Sequence, residues 1–295
     1  MSLRLGFAGI GLMGLPMCER LLAAGYALTV WNRTPEKCKP LLEQGAQQAA
    51  TAKQLAETCD VLILCLADTQ SVQEVVLGEQ GIAKGLRSQQ IIVDCSSIEP
   101  QATRELASYV QTECSAVWLD VPVSGGVIGA QTGSLTLMAG GDAQALAQVK
   151  PVLMQLGQRL THMGEVGAGQ VTKVCNQMLV ACNALVIAEV VALAERAGVD
   201  AQLLAPALAG GFADSKPLQI LAPQMASQTY EPIKWHVRTL LKDLDTAVKL
   251  SQSIPSATPM SGLAAQLMRT HAVQGNADKD PATLVELYRG GKACT

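Results

Sequence analysis

Hydrophobic positions along this chain change period once, and the change divides it. In the first half, short β-prone apolar runs alternate with stretches of helical spacing. The runs fall at Leu3–Ala8, Ala27–Trp31, Val61–Leu66, Ile91–Cys95, Val117–Val123 and Leu135–Ala139. Helix-like segments lie between most of them, for example Pro100–Val110 and Ala143–Leu156. Such alternation predicts a largely parallel, doubly wound sheet. From about Gly167 to Ala197 the helical period continues unbroken. A single helix of ~30 residues would be ~45 Å long, enough to bridge two domains. Beyond Val199 the pattern stays helical, with breaks expected near Gly210–Gly211, Pro217, Pro223, Pro232, Pro255 and Pro259, and with almost no strand signal.

The first apolar run leads directly into Gly9-Ile10-Gly11-Leu12-Met13-Gly14 and then a helix-like segment. Glycines at this spacing, after a strand and opening a helix, predict the phosphate cradle of a dinucleotide-binding fold. The first allows the tight turn, the second lets backbone approach a pyrophosphate, and the third packs helix on strand. The pyrophosphate then meets unpaired N–H groups at the helix start, around Leu12 and Met13. The expected fold is an α/β Rossmann-type N-terminal domain (residues 1–164), a long interdomain helix (about 167–197), an all-α C-terminal domain (165–290) and a disordered tail (291–295).

An NAD-selective site carries an acidic residue roughly 20 positions past the glycines, bonded to the ribose 2′-hydroxyl. That place holds Asn32, followed by Arg33 and Thr34. A carboxylate would repel a 2′-phosphate and a guanidinium attracts one. The expected cofactor is therefore NADP, with NAD less favoured.

Composition narrows the function further. Hydrophobic residues make up 49% of the 295, enough for a sizeable core, and the net charge is −3. There is no basic stripe or aromatic-interleaved patch of the kind that reads nucleic acid. The opening Met-Ser-Leu-Arg runs straight into the first strand, which predicts no signal peptide and a cytoplasmic protein. The most apolar stretch, Met178–Ala194, is interrupted by Asn183 and Glu189 and is expected to be a buried helix, not a bilayer span. It is apolar on most faces, so a single neighbour would not cover it, and a homodimer or homotetramer is expected. Nine cysteines occur without a C-x-x-C pair or a cysteine–histidine cluster. They are expected to be small buried hydrophobes in a reducing compartment, with no metal. Cys294 is penultimate and does not fit a prenylation signal.

Three further segments carry candidate chemistry. Asp120-Val121-Pro122-Val123-Ser124-Gly125-Gly126 follows a strand, so it falls at the sheet's carboxyl edge. Its glycines and serine suit a small carboxylate, although taken alone a plain glycine-rich connection is the favoured explanation. In Gly167-Ala168-Gly169-Gln170-Val171-Thr172-Lys173-Val174-Cys175-Asn176-Gln177, Lys173 lies one turn inside the long helix, sharing a face with Asn176 and Gln177. Lys242-Asp243-Leu244-Asp245 falls on a later helix, where a surface salt bridge is the usual reading.

Together these four motifs, in this order from Leu3 to about Arg289, resemble the β-hydroxyacid dehydrogenase family. The family includes 3-hydroxyisobutyrate dehydrogenases, tartronate semialdehyde reductases and glyoxylate/succinic semialdehyde reductases. The resemblance implies an NAD(P)-dependent oxidoreductase interconverting a short β-hydroxy acid and its semialdehyde. It implies that Lys173 is the catalytic lysine, and that Ser124, Gly125 and Gly126 hold the substrate carboxylate. It also implies that Asn176 or Gln177 contacts substrate, that Lys242 lines the closed site, that Ser97 lies near the nicotinamide, and that Leu66-Ala67-Asp68 touches the cofactor. Asn176 at the third position after the lysine resembles the tartronate semialdehyde and 3-hydroxyisobutyrate branches; Trp31-Asn32-Arg33-Thr34 resembles the succinic semialdehyde branch. An imine reductase shares the architecture but usually lacks the lysine. A non-catalytic NADP-binding module is the rival of another class.

Overall fold

The computed structural model describes residues 3–289; the expected tail at 291–295, with Cys294, lies outside the described residues. The chain divides into two compact units with the boundary between Lys173 and Val174.

The first unit is built on a nine-stranded sheet. Its strands are β1 (Arg4–Ala8), β2 (Ala27–Trp31), β3 (Gln47–Gln48), β4 (Val61–Leu64), β5 (Ile91–Asp94), β6 (Val117–Asp120), β7 (Val123–Ser124), β8 (Leu135–Gly140) and β9 (Gly157–Gly164). The order is β3-β2-β1-β4-β5-β6-β8-β7, with β9 paired to β8. The first six strands in that order are parallel, β8 is antiparallel to β6 and β7, and β9 runs parallel to β8. Strand order reverses at β1, with β2 on one side and β4 on the other. A doubly wound sheet binds its ligand in the crevice at such a switch point, beyond the carboxyl ends of the strands.

The apolar runs of β4 and β5 are nearly continuous because both faces are covered. Leu5, Phe7, Ile63, Val93 and Leu119 pack into one core with Met17 and Leu21 of α1 (Gly14–Ala23). Ala8, Leu62, Leu64, Ile92 and Trp118 pack into a second, with Leu55 of α2 (Ala52–Thr58), Val72 of α3 (Thr69–Leu77) and Leu106 of α4 (Pro100–Cys114). Each Leu, Ile, Val, Phe or Met among them contributes about 1.5–3 kcal/mol on full burial. Two further helices of this unit are α5 (Gly126–Thr132) and α6 (Ala143–Leu156).

The long helix is α7 (Ala168–Arg196), and the unit boundary falls within it. In the second unit it is followed by α8 (Lys216–Ser227), α9 (Val237–Ser253) and α10 (Pro259–His271), and every regular element among the described residues is helical. Ala181, Ala184, Leu185, Ala188, Val191 and Ala192 form a buried stripe of α7 in this unit's core. Leu179, Val186, Val190 and Leu193 form an exposed apolar stripe on the same helix. By length and composition α7 meets the dimensions of a membrane span, with 39% of its most apolar window buried.

Several expectations need correction. The run at Val61–Leu66 is a strand only to Leu64, and that at Ile91–Cys95 only to Asp94. The run at Val117–Val123 is two strands, divided at Pro122, whose ring nitrogen has no N–H to give a ladder. Strands β3 and β9 carry no expected signal: Gln47 and Gln48 are exposed, as are Gln158, Arg159 and Thr161 to Met163. Pro223 does not break the chain but sits inside α8, where Leu221, Ala222 and Met225 anchor the helix in the core around it. Pro217 occupies the first turn of that helix, where its missing N–H costs nothing. Not every cysteine is buried: Cys18, Cys38, Cys59 and Cys95 are, but Cys175 is exposed.

Candidate active site

The glycine loop joins β1 to α1 at the switch point. Gly9 has φ +104°, and a Cβ there would lie 2.3 Å from the carbonyl oxygen of Cys65. A Cβ on Gly14 would lie 1.9 Å from the carbonyl oxygen of Gly9. A Cβ on Gly11 would meet nothing within 4 Å. Two glycines are thus required by the protein's own packing, while the third borders open space of the kind a pyrophosphate fills. The Leu15 N–H already bonds to the carbonyl of Gly11, so the amides just before it, including Leu12 and Met13, precede the helical ladder.

This loop forms one wall of a cleft of about 470 Å³. Gly9, Gly11, Asn32, Arg33, Thr34, Leu66 and Ala67 line it, so most of the expected cofactor residues converge there; Ser97 is not among its lining residues. Asn32 is more than a marker of specificity. Its Oδ1 accepts from the Ile10 N–H (2.9 Å) and its Nδ2 donates to the carbonyl of Thr34 (2.9 Å), so it staples the glycine loop to the turn after β2. Arg33 is exposed and pairs at 3.8 Å with Glu74 of α3. Sequence reading missed Lys37, Ser71 and Glu74, which also line the cleft. Lys37 lies in the short 3-10 helix Pro35–Cys38 that follows Arg33, and no periodicity in the sequence marks it. Asp68 caps α3 by accepting from the Ser71 N–H (2.8 Å).

At the carboxyl ends of β5 and β6, Asp94 and Asp120 stand in register on neighbouring strands, and both are buried. Asp120 receives the start of α7: its Oδ1 accepts from the Gly167 N–H and its Oδ2 from the Gln170 N–H, each at 2.8 Å. A Cβ on Gly169 would come within 2.5 Å of the Asp120 carbonyl oxygen, so helix and strand end are in close contact. Burial raises the Asp120 pKa, and the backbone donors, Gly167 foremost, oppose that rise. Burial pushes Asp94 up to about 7, helped by the charge of Asp120 and opposed by hydrogen bonding from Ser96. Asp94 Oδ2 has no hydrogen-bond partner among the described residues. Lys173 lies one helical turn beyond this anchored start and is half-buried.

Ser124 ends β7, and Gly125 (φ +134°) turns the chain into α5. Ser124 is half-buried, while Gly125 and Gly126 are exposed. The result is a strand–turn–helix connection with a hydroxyl and backbone amides at its rim, a geometry able to hold a carboxylate.

In the second unit, Asn176 Nδ2 donates to Gln177 Oε1 (2.8 Å), and Gln177 Nε2 donates to Asp243 Oδ2. Lys242 lies 3.4 Å from Asp243 Oδ1. The two amides and the Lys-Asp motif therefore form one polar chain. Asp243 is nearly buried, so the pair is not the plain surface salt bridge that its sequence suggests.

A family model described as the NAD binding domain of 6-phosphogluconate dehydrogenase matches residues 4–164. A second, described as NAD-binding of NADP-dependent 3-hydroxyisobutyrate dehydrogenase, matches residues 167–288. The chain is 37% identical to 2-hydroxy-3-oxopropionate reductase of Escherichia coli (strain K12), over 96% of both chains. It is 34% identical to 3-hydroxyisobutyrate dehydrogenase of Pseudomonas aeruginosa, over 97% of this chain and 98% of that one. A solved structure of Mycobacterium tuberculosis 3-hydroxyisobutyrate dehydrogenase with L-serine superposes with a TM-score of 0.89 at 27% identity, covering 98% of this chain and all of that one.

Proposed function

Because this chain belongs to the β-hydroxyacid dehydrogenase family, we propose that it is an NADP-dependent enzyme interconverting a short β-hydroxy acid and its semialdehyde, of the tartronate semialdehyde or 3-hydroxyisobutyrate type. The observation that carries this reading is the placement of Lys173, one turn into a helix whose first residues are bonded to the end of β6. The glycine cradle fits a dinucleotide, since Gly11 borders open space in the cleft. Asn32 and Arg33 on its wall favour a 2′-phosphate over a bare ribose.

When bound, the nicotinamide supplies or takes up a hydride. The protein's own groups do the rest. Ser124 Oγ and the amides of Gly125 and Gly126 bind the substrate carboxylate, which sets the aldehyde carbon, separated from it by the α-carbon, in place. The Lys173 ammonium stabilises the charge that develops on the carbonyl oxygen and then delivers its proton there. In the oxidative direction a neutral Lys173 accepts the alcohol proton. Asn176, braced through Gln177 to Asp243, orients substrate or lysine. The exposed stripe Leu179, Val186, Val190 and Leu193 supports assembly of the chain with a second copy.

The test is a panel of two- to four-carbon aldehyde acids with NADPH, ranked by kcat/KM. Tartronate or methylmalonate semialdehyde should rank above glyoxylate and succinic semialdehyde. Turnover of a cyclic imine without turnover of any aldehyde acid would overturn the reading. Cofactor binding with no turnover at all would point instead to a non-catalytic module.

A further inference from the structure

Ser97 is flanked by two residues that are each tied to α7. Ser96 is buried, and its three polar groups have partners from three elements. Its N–H donates to Asp94 Oδ1 at the end of β5 (2.9 Å), its Oγ accepts from the Leu66 N–H beyond β4 (2.9 Å), and its carbonyl accepts from Gln170 Nε2 of α7 (2.8 Å). The same Gln170 side chain accepts from the Ile98 N–H through Oε1 (3.2 Å). Its own backbone N–H is held by Asp120 Oδ2 (2.8 Å). Gln170 is therefore buried, spans Ser97 from both sides, and is fixed at its backbone.

An apolar side chain would fill this space without the cost of burying an amide. An amide bonded at both its oxygen and its nitrogen does something an apolar residue cannot: it defines a single register, because sliding or rotating α7 breaks both of these bonds together. Lys173 is three residues further along the same helix face. We propose that Gln170 is a positioning residue, setting the face of α7 that bears Lys173 against the loop that bears Ser97. The proposal rests on the reading of Lys173 as the proton donor.

A double-mutant cycle tests it, with Gln170→Leu and Lys173→Ala made singly and together in the full-length protein. The readouts are kcat, KM, NADPH affinity by fluorescence titration, and thermal midpoint. With Lys173 present, Gln170→Leu should lower kcat about 10²-fold, the scale of a misplacement near 1 Å, and leave NADPH affinity within about twofold. With Lys173 absent, the same change should cost less than about threefold in kcat. Equal losses in both backgrounds, or no loss in the first, would overturn the positioning role. Near-normal turnover of Lys173→Ala alone would instead remove the lysine reading, a different and recognisable failure. Should Gln170→Leu not fold, Gln170→Glu serves in the same cycle: it keeps an acceptor for Ile98 and loses the donor to Ser96, so a smaller loss confined to the Lys173 background is expected.

Discussion

Arg33 offers the sharpest test of cofactor choice, because its surroundings allow the effect to be sized. Its guanidinium is 83% exposed, and its ion-pair partner Glu74 is 54% exposed at 3.8 Å. An exposed pair of this kind contributes only about 0.2–1 kcal/mol, so it does not hold the side chain against a better partner. A charge-assisted hydrogen bond to a phosphate contributes about 1.5–3 kcal/mol. Removing it in Arg33→Ala should therefore lower kcat/KM for NADPH about 10- to 150-fold, at about 1.4 kcal/mol per tenfold. The efficiency with NADH, which lacks the phosphate, should stay within about twofold. Lys37 lines the same cleft, so the double change Arg33→Ala/Lys37→Ala should deepen the loss with NADPH and again spare NADH. The assay is steady-state oxidation of each cofactor at saturating aldehyde acid, at two salt concentrations, since exposed charge effects weaken as salt rises. An NADPH/NADH ratio unchanged in both variants would refute the argument that this wall reads the 2′-phosphate.

Asp94→Asn tests the buried carboxyl. Its folded pKa, pushed up to about 7, lies above the ordinary value near 4, so its contribution to stability is fully present below about pH 4 and is lost as pH rises through about 7. That difference is worth about 4 kcal/mol, and denaturant melts should show Asp94→Asn gaining on the wild type between pH 4 and pH 8; parallel curves would contradict the shift. Ser124→Ala should raise KM for the aldehyde acid with NADPH affinity unchanged, by about tenfold for one lost hydrogen bond to a charged group; unchanged KM and kcat would place the carboxylate clamp elsewhere. Leu179→Glu/Leu193→Glu should lower the mass seen by light scattering to that of a single chain, and an unchanged mass would show that the exposed stripe of α7 is not a contact between copies.

The parts of this fold that were legible in the sequence are those set by local constraints. Gly9, Gly11 and Gly14 announce themselves by their spacing in one short turn: a Cβ on Gly14 would meet the carbonyl of Gly9, while Gly11 faces open space. The parallel core strands are equally plain, since burial on both faces leaves runs such as Val61–Leu64 wholly apolar. Strand β9 was hidden because its side chains are mostly exposed and its pairing to β8 is a backbone matter. Pro223 signals a break by its local preference, and the core contacts of Leu221 and Met225 that hold the helix around it leave no mark nearby in the sequence. The candidate site divides in the same way. Lys173, Asn176 and Gln177 stand out by helical spacing, but the partner of Gln177, Asp243, lies 66 residues away. The bonds from Asp120 to Gly167 and Gln170 close loops of 47 and 50 residues. No periodicity spans such distances, so the role of Gln170 emerges only once the sheet brings its carboxyl ends together.

The most direct measurement is single-turnover reduction of the best aldehyde acid by NADPH-loaded Lys173→Ala, beside a fluorescence titration of NADPH. Loss of the proton donor should slow the hydride-transfer step by about 10²- to 10⁴-fold and leave the NADPH dissociation constant within about twofold of wild type. A variant that reduces the substrate at close to the wild-type rate would contradict the assignment of the proton to this lysine.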